Sequence, residues 1–186
     1  MATGKNTIKY WAVTVIAFSA LLLVSSLFYE IKFTDSRTDC FPHKAWLVDK
    51  TAKDPVVGDF IMFRTPATAT RYVPENKKWI KKILASEGGK IDVVPAVNGE
   101  TSPVFMNGMQ RNLPVKAHVT VDYKQSSQTF VAFAADSLGR PLSLISQQII
   151  PTGHYYLYSP VARSYDSRYW GLVRKNEILG KAYPIF

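Results

Sequence analysis

Ser164-Tyr165-Asp166-Ser167-Arg168-Tyr169-Trp170-Gly171-Leu172-Val173, followed closely by Ile178-Leu179-Gly180-Lys181-Ala182, sets polar groups inside an otherwise apolar and aromatic stretch. Charges in such surroundings are tolerated when they are paired and hydrogen-bonded, and Asp166 and Arg168, two residues apart, can close an ion pair. On an extended segment Ser164 lies on their side and offers its hydroxyl to a neighbouring amine. Tyr169 and Trp170 suit a core or a membrane surface at least as well as a substrate contact.

The candidate amine lies upstream, in Lys77-Lys78-Trp79-Ile80-Lys81-Lys82-Ile83-Leu84. Read as a strand, its period of two puts Trp79, Lys81, Ile83 and Ala85 on one face and Ile80, Lys82 and Leu84 on the other. One lysine therefore sits among apolar neighbours whichever face is buried, and desolvation disfavours an ammonium, which fits such a lysine for taking up a proton. The plainer reading is a basic edge strand, since lysine is a common edge protector. Lys77 and Lys78 read as a lipid-facing patch in preference to a nucleic-acid contact.

The chain has a single cysteine, Cys40, in Thr38-Asp39-Cys40-Phe41-Pro42. One thiol makes no intramolecular disulfide, so the fold is held by its core. As a nucleophile it needs a base or cation beside it, because an ordinary thiol is mostly protonated at neutral pH. His43, His118 and His154 stand in no cysteine-protease signature, and one Cys with scattered His lacks metal-ligand spacing, so neither metal nor cofactor is expected.

Cys40 follows the uncharged run Trp11 to Phe28, long enough to cross a bilayer at about 1.5 Å per residue. Tyr10, Trp11, Phe28 and Tyr29 suit the two interfaces, and Lys5 and Lys9 favour an N-terminus left in the cytoplasm. Residues 1–10 then form a cytoplasmic N-terminus, 11–29 the anchor and 30–186 an exported domain, at the inner membrane with the domain in the periplasm. A cleaved secretory signal is the competing reading, but the run is longer than a usual signal core and Val24-Ser25-Ser26-Leu27-Phe28 makes a weak cleavage site. The net charge of +9 beside a bilayer points first to anionic lipid.

The exported part is rich in Val, Ile, Phe, Tyr and Thr in short runs broken by Gly, Pro, Asn and Asp, which predicts a mostly β domain. Expected strands are Lys44 to Val48, Phe60 to Arg64, Trp79 to Ser86, Lys90 to Val94, Ala117 to Tyr123, Thr129 to Ala134 and His154 to Tyr158. Val57-Gly58-Asp59 and Glu87-Gly88-Gly89 supply turns. Residues 95–150, with Asn107-Gly108 as a tight turn and a polar stretch from Lys124 to Gln128, read as an inserted hairpin region with no legible chemistry.

The closing stretch closely resembles the last conserved box of type I signal peptidases, the S26 family. Val57-Gly58-Asp59-Phe60-Ile61-Met62-Phe63 is similar to that family's Gly-Asp strand box, and Ile80-Lys81-Lys82-Ile83-Leu84-Ala85 followed by Gly88 to the box with its general-base lysine. The resemblance implies a signal-peptidase-like (S24/S26-type) β fold behind one transmembrane helix, and a serine/lysine dyad. It makes Lys81 the base, Ser164 the hydroxyl that holds it, and Asp166 and Arg168 a supporting ion pair. The nucleophile position departs. The Ser-Met-x-Pro of ordinary signal peptidases would put Asp39 opposite the serine, whereas the Ser-x-Pro of the TraF-type conjugative-transfer peptidases puts Cys40 there. A second departure is Tyr158-Ser159-Pro160 where signal peptidases have Gly-Asp-Asn, which argues against general preprotein processing.

The resemblance therefore implies a Cys/Lys peptidase, acting on an exported pilin precursor and cleaving or cyclising it, for conjugative transfer by a type IV secretion system. The oxyanion would be met by the Cys40 N–H and the hydroxyl of Thr38 or Ser36. Implied partners are the pilin precursor and membrane lipid, without direct nucleic acid; oligomeric state is not legible. The rival is a catalytically silent, anchored assembly component of the same apparatus, supported by the missing serine.

Overall fold

The computed structural model describes residues 3–33, 40–69, 72–106 and 108–186. A single long helix, α1 (Thr3–Phe28), leads directly into strand β1 (Tyr29–Phe33). Its segment Tyr10–Phe28 has a mean hydropathy of 2.2 and no residue buried against the rest of the protein, and is long and apolar enough to cross a membrane. The junction is tied down by Lys50, whose N–H donates to the Phe28 carbonyl and whose Nζ donates to the Ser26 carbonyl, at 2.8 and 2.6 Å.

The strands that follow are β2 (Ala45–Asp49), β3 (Phe60–Arg64), β4 (Lys78–Ala85), β5 (Lys90–Pro95), β6 (Thr101–Met106), β7 (Met109–Tyr123), β8 (Ser126–Phe133), β9 (Gln148–Ile149) and β10 (His154–Tyr158). A short helix α2 (Ser167–Trp170) and strands β11 (Val173–Arg174) and β12 (Ile178–Pro184) complete the chain. Seven of them form one sheet in the order β1-β2-β12-β3-β4-β10-β11. The second sheet runs β6-β7-β5-β9, with β8 also on β7. The named pairings are antiparallel, as short connections between neighbouring strands allow. The fold is thus mostly β with one N-terminal apolar helix, as the sequence predicts.

Three apolar clusters follow from the alternation of these strands. Ala85, Ile91, Val119, Ala132 and Tyr156 fill the seam between the sheets. Ile61, Phe63, Ile83, Leu157 and Trp170 pack on one face of the large sheet, while Trp46, Val48, Met62, Ile80 and Ala182 form a separate cluster with Phe41 packed against it. Tyr169 and Trp170 are therefore core aromatics. At the other edge, Ile31 of β1, Leu47 of β2 and Tyr183 of β12 lie in register and stay exposed beside the end of α1.

Two differences from the sequence reading have local causes. β7 begins at Met109, eight residues before the expected Ala117, because its first half pairs with β6 and its second with β5 and β8. Pro114 sits where the partner changes, opposite the first residue of β6. The segment after Ser164 is not uniformly extended: Asp166 is (φ −147°, ψ −164°), but Ser167–Trp170 turn into α2 with Asp166 as their N-cap. The expected Asn107-Gly108 turn includes Asn107, which lies outside the described residues.

Candidate active site

β4 carries Lys81, and the Gly-Asp turn fixes that strand. Gly58 has φ +101°, a backbone conformation that glycine adopts without a Cβ penalty. Its N–H donates to the Ile83 carbonyl and the Ile83 N–H donates to the Asp59 carbonyl, both at 2.9 Å. The turn is thereby clamped to β4 two residues beyond Lys81. Asp59 closes it by accepting from the Val56 N–H at 2.8 Å and pairs with Lys181 of β12 at 2.8 Å. Two boxes far apart in sequence meet here as one support.

β10 follows β4 as far as the pairing of Tyr158 with Lys82, and then leaves the sheet as Ser159-Pro160. A turn, closed by the Ser164 N–H on the Val161 carbonyl at 2.8 Å, returns the chain to Lys81. Of the two central lysines, Lys81 is buried at 1% exposure and Lys82 is exposed. Lys81 Nζ donates to Ser164 Oγ at 2.5 Å and to Cys40 Sγ at 3.0 Å, with the sulfur 3.7 Å from that hydroxyl. Cys40, Lys81 and Ser164 therefore converge from three parts of the chain.

Burial pushes the Cys40 thiol up, but the Lys81 ammonium beside it, with hydrogen bonds involving Lys81, Ser164 and Ser159, outweighs burial and holds its pKa below the ordinary value. Ser159 enters this group unannounced by the sequence reading, which met it only as part of a lost match to Gly-Asp-Asn. It is fully buried and donates its hydroxyl to the Cys40 carbonyl at 2.6 Å. No local pattern marks it, because its partner lies 119 residues away in sequence.

The Asp166–Arg168 pair is buried and bidentate, Nε to Oδ1 and Nη2 to Oδ2 each at 2.8 Å. Burial works against the guanidinium, but Asp166 holds its pKa above the ordinary value. The remaining donors reach the Val131 carbonyl at 2.6 Å and the Ser164 carbonyl at 3.0 Å. The pair thus fixes the backbone of the residue whose hydroxyl holds Lys81. Asp166 also accepts from the Arg168 N–H at 3.3 Å, and the Ser167 hydroxyl accepts from the Leu157 N–H at 2.9 Å, binding α2 to β10.

Thr38 and Ser36 lie outside the described residues. His43 packs edge-on against Trp46, His118 pairs with Glu100 at 2.8 Å, and His154 hydrogen-bonds the Thr152 carbonyl. Among the described residues no three His, Cys, Asp or Glu side chains gather as metal ligands do. Lys78 pairs with Glu30 of β1 at 2.7 Å, and Lys77 lies over the Trp79 ring. Chemically, a thiol with a depressed pKa, an amine in contact with it and a hydroxyl orienting that amine are the parts of a nucleophile and its proton carrier.

The family model described as signal peptidase, peptidase S26, matches residues 5–186. The chain is also 26% identical over 177 residues to the conjugal transfer protein TraF of Agrobacterium tumefaciens (strain 15955), covering 94% of this chain and 90% of that one. A probable conjugal transfer protein TraF of Sinorhizobium fredii is 28% identical over 157 residues, 84% of this chain and 76% of its own.

Proposed function

Because the chain belongs to the signal peptidase S26 family, we propose that it is a membrane-anchored thiol peptidase that cleaves an exported pilin precursor for conjugative transfer. In this reading Cys40 is the nucleophile and Lys81 its proton partner, and the supporting observation is the contact of Lys81 Nζ with both Cys40 Sγ and Ser164 Oγ. The names of the relatives supply the conjugative setting.

In this reading the attacking form is a Cys40 thiolate facing a Lys81 ammonium. The sulfur attacks the scissile carbonyl, a C–S bond forms, and the oxyanion is met by the Cys40 N–H with a nearby hydroxyl. The C–N bond then breaks as Lys81 passes its proton to the departing amine. In the second half Lys81 takes a proton from water, whose oxygen adds to the thioester carbon; the C–S bond breaks and the thiolate returns. An amine in place of water would give a new peptide bond and a cyclised product. α1 is the transmembrane anchor, with Lys5 and Lys9 on the cytoplasmic side of the inner membrane and the peptidase domain in the periplasm.

The exchange of serine for cysteine equally suits a silent assembly component that binds pilin without cutting it. Co-expression with the cognate pilin precursor, scored by mass, separates the two. Wild type should shorten the precursor, and Cys40→Ala and Lys81→Ala should leave it intact; an unprocessed precursor with wild type overturns the peptidase.

A further inference from the structure

Beside the segment that carries Ser164, a cleft of 310 Å³ opens between the two sheets. Its walls are apolar and aromatic, with Leu113 and Phe133 from the second sheet facing Tyr72 and Tyr165. Burial pushes the Tyr165 phenol up to about 12, so it stays neutral at physiological pH. The position is close to the dyad. Arg163, which lines the cleft, adjoins Ser164 in the chain, and Trp79, also in the lining, shares a face of β4 with Lys81 about 7 Å along the strand.

The charges of the cleft do not cancel. Asp136 is the one acid in its lining, and Arg140 takes it with a contact of 2.6 Å while lying over the Tyr72 ring. Arg163 is exposed and makes no hydrogen bond or ion pair among the described residues. Lys77, stacked on Trp79, adds a second cation nearby. A planar guanidinium without a partner, set over an apolar cavity, is complementary to a carboxylate attached to an apolar group.

We propose that this cleft is a specificity subsite: it seats an apolar side chain of the polypeptide held at Cys40, while Arg163 binds a carboxylate carried by the same segment. Its place beside a scissile bond rests on the peptidase reading; its ligand chemistry does not. The occupant is one peptide segment, and the carboxylate is either an acidic side chain or a free chain end.

Calorimetric titration of the full-length protein in detergent micelles tests this with four short acetylated peptides. Two are amidated and carry Phe-Glu or Phe-Gln; two end in Phe, as free acid or as amide. Wild type should bind a carboxylate-bearing peptide about fivefold or more tightly than its neutral counterpart. Arg163→Gln should erase that preference, and Arg163→Glu should turn it toward a Phe-Lys peptide. Whether the Glu or the free-acid arm carries the preference identifies the source of the carboxylate. Equal binding of both neutral and anionic members by wild type, or an unchanged preference in Arg163→Gln, overturns the subsite. The rate at which iodoacetamide labels Cys40 in wild type, measured on the same samples, tests the peptidase reading separately. An ordinary thiol rate in wild type would instead sink the peptidase reading while leaving the binding result standing.

Discussion

Cys40 Sγ and Lys81 Nζ stand 3.0 Å apart, although 41 residues separate them in sequence. The depressed thiol pKa that follows makes a direct prediction. The pH profile of Cys40 alkylation should have its midpoint below the ordinary thiol value of about 8.5, and Lys81→Met should move it upward, since burial would then act without the opposing ammonium. The same shift bears on stability. A group whose folded pKa is lowered stabilises the fold in full above its unfolded pKa and loses that contribution as pH falls through the folded value. Relative to Cys40→Ala, wild type should therefore gain stability as pH rises from its lowered folded pKa to about 8.5. A melting series over that range checks the sign.

Ser159 holds the nucleophile by its backbone, and removing the hydroxyl leaves the Cys40 carbonyl without that donor. On the proposed mechanism Ser159→Ala should lower kcat about tenfold with little change in KM, because a small displacement of the attacking atom is felt mainly in the transition state. Ser159 also contributes to lowering the thiol pKa, so the alkylation midpoint should rise in the same variant. Ser159→Thr, which keeps the hydroxyl, should recover both. A loss of stability with unchanged midpoint would mean a purely structural serine.

Breaking the buried Asp166–Arg168 pair from one side should be costly. Asp166→Ala leaves a guanidinium at 1% exposure and removes the cap of α2, which together should cost about 3–5 kcal/mol of stability. Arg168→Met strands the Val131 and Ser164 carbonyls as well as the carboxylate. The double variant Asp166→Ala with Arg168→Met should cost clearly less than the sum, since neither charge is then left alone. Chemical denaturation of the four proteins closes the cycle.

Much of this site could be read from local pattern, and its remainder could not. β3 and β10 have the bounds that alternation and turn residues predict, and the period of two in β4 requires one buried lysine without choosing between Lys81, which the family resemblance names and the fold buries, and Lys82. The start of β1 was hidden because Tyr29 fits the end of a membrane anchor as well as an edge strand. The start of β7 was hidden by Arg111, Asn112 and Pro114, residues poor in strand signal that β6 nevertheless pairs. The Ser159 contact depends on where β10 leaves the sheet, a long-range fact with no periodic trace.

Gly180 gives the last prediction, because its role is steric. β12 lies between β2 and β3, and a Cβ at Gly180 would overlap the Asp49 carbonyl group, which is backbone and cannot turn aside. Gly180→Ala must then push β12 off β2, and overpacking of this kind costs about 1–3 kcal/mol. The next residue, Lys181, holds Asp59 and with it the turn clamped to β4, so the displacement is transmitted toward Lys81. The variant should lose both thermal stability and rapid Cys40 alkylation. Lys181→Met, which removes the ion pair without moving β12, should cost less than about 1 kcal/mol and keep the alkylation rate. Fast alkylation in a destabilised Gly180→Ala would show that β12 supports the fold without positioning the dyad.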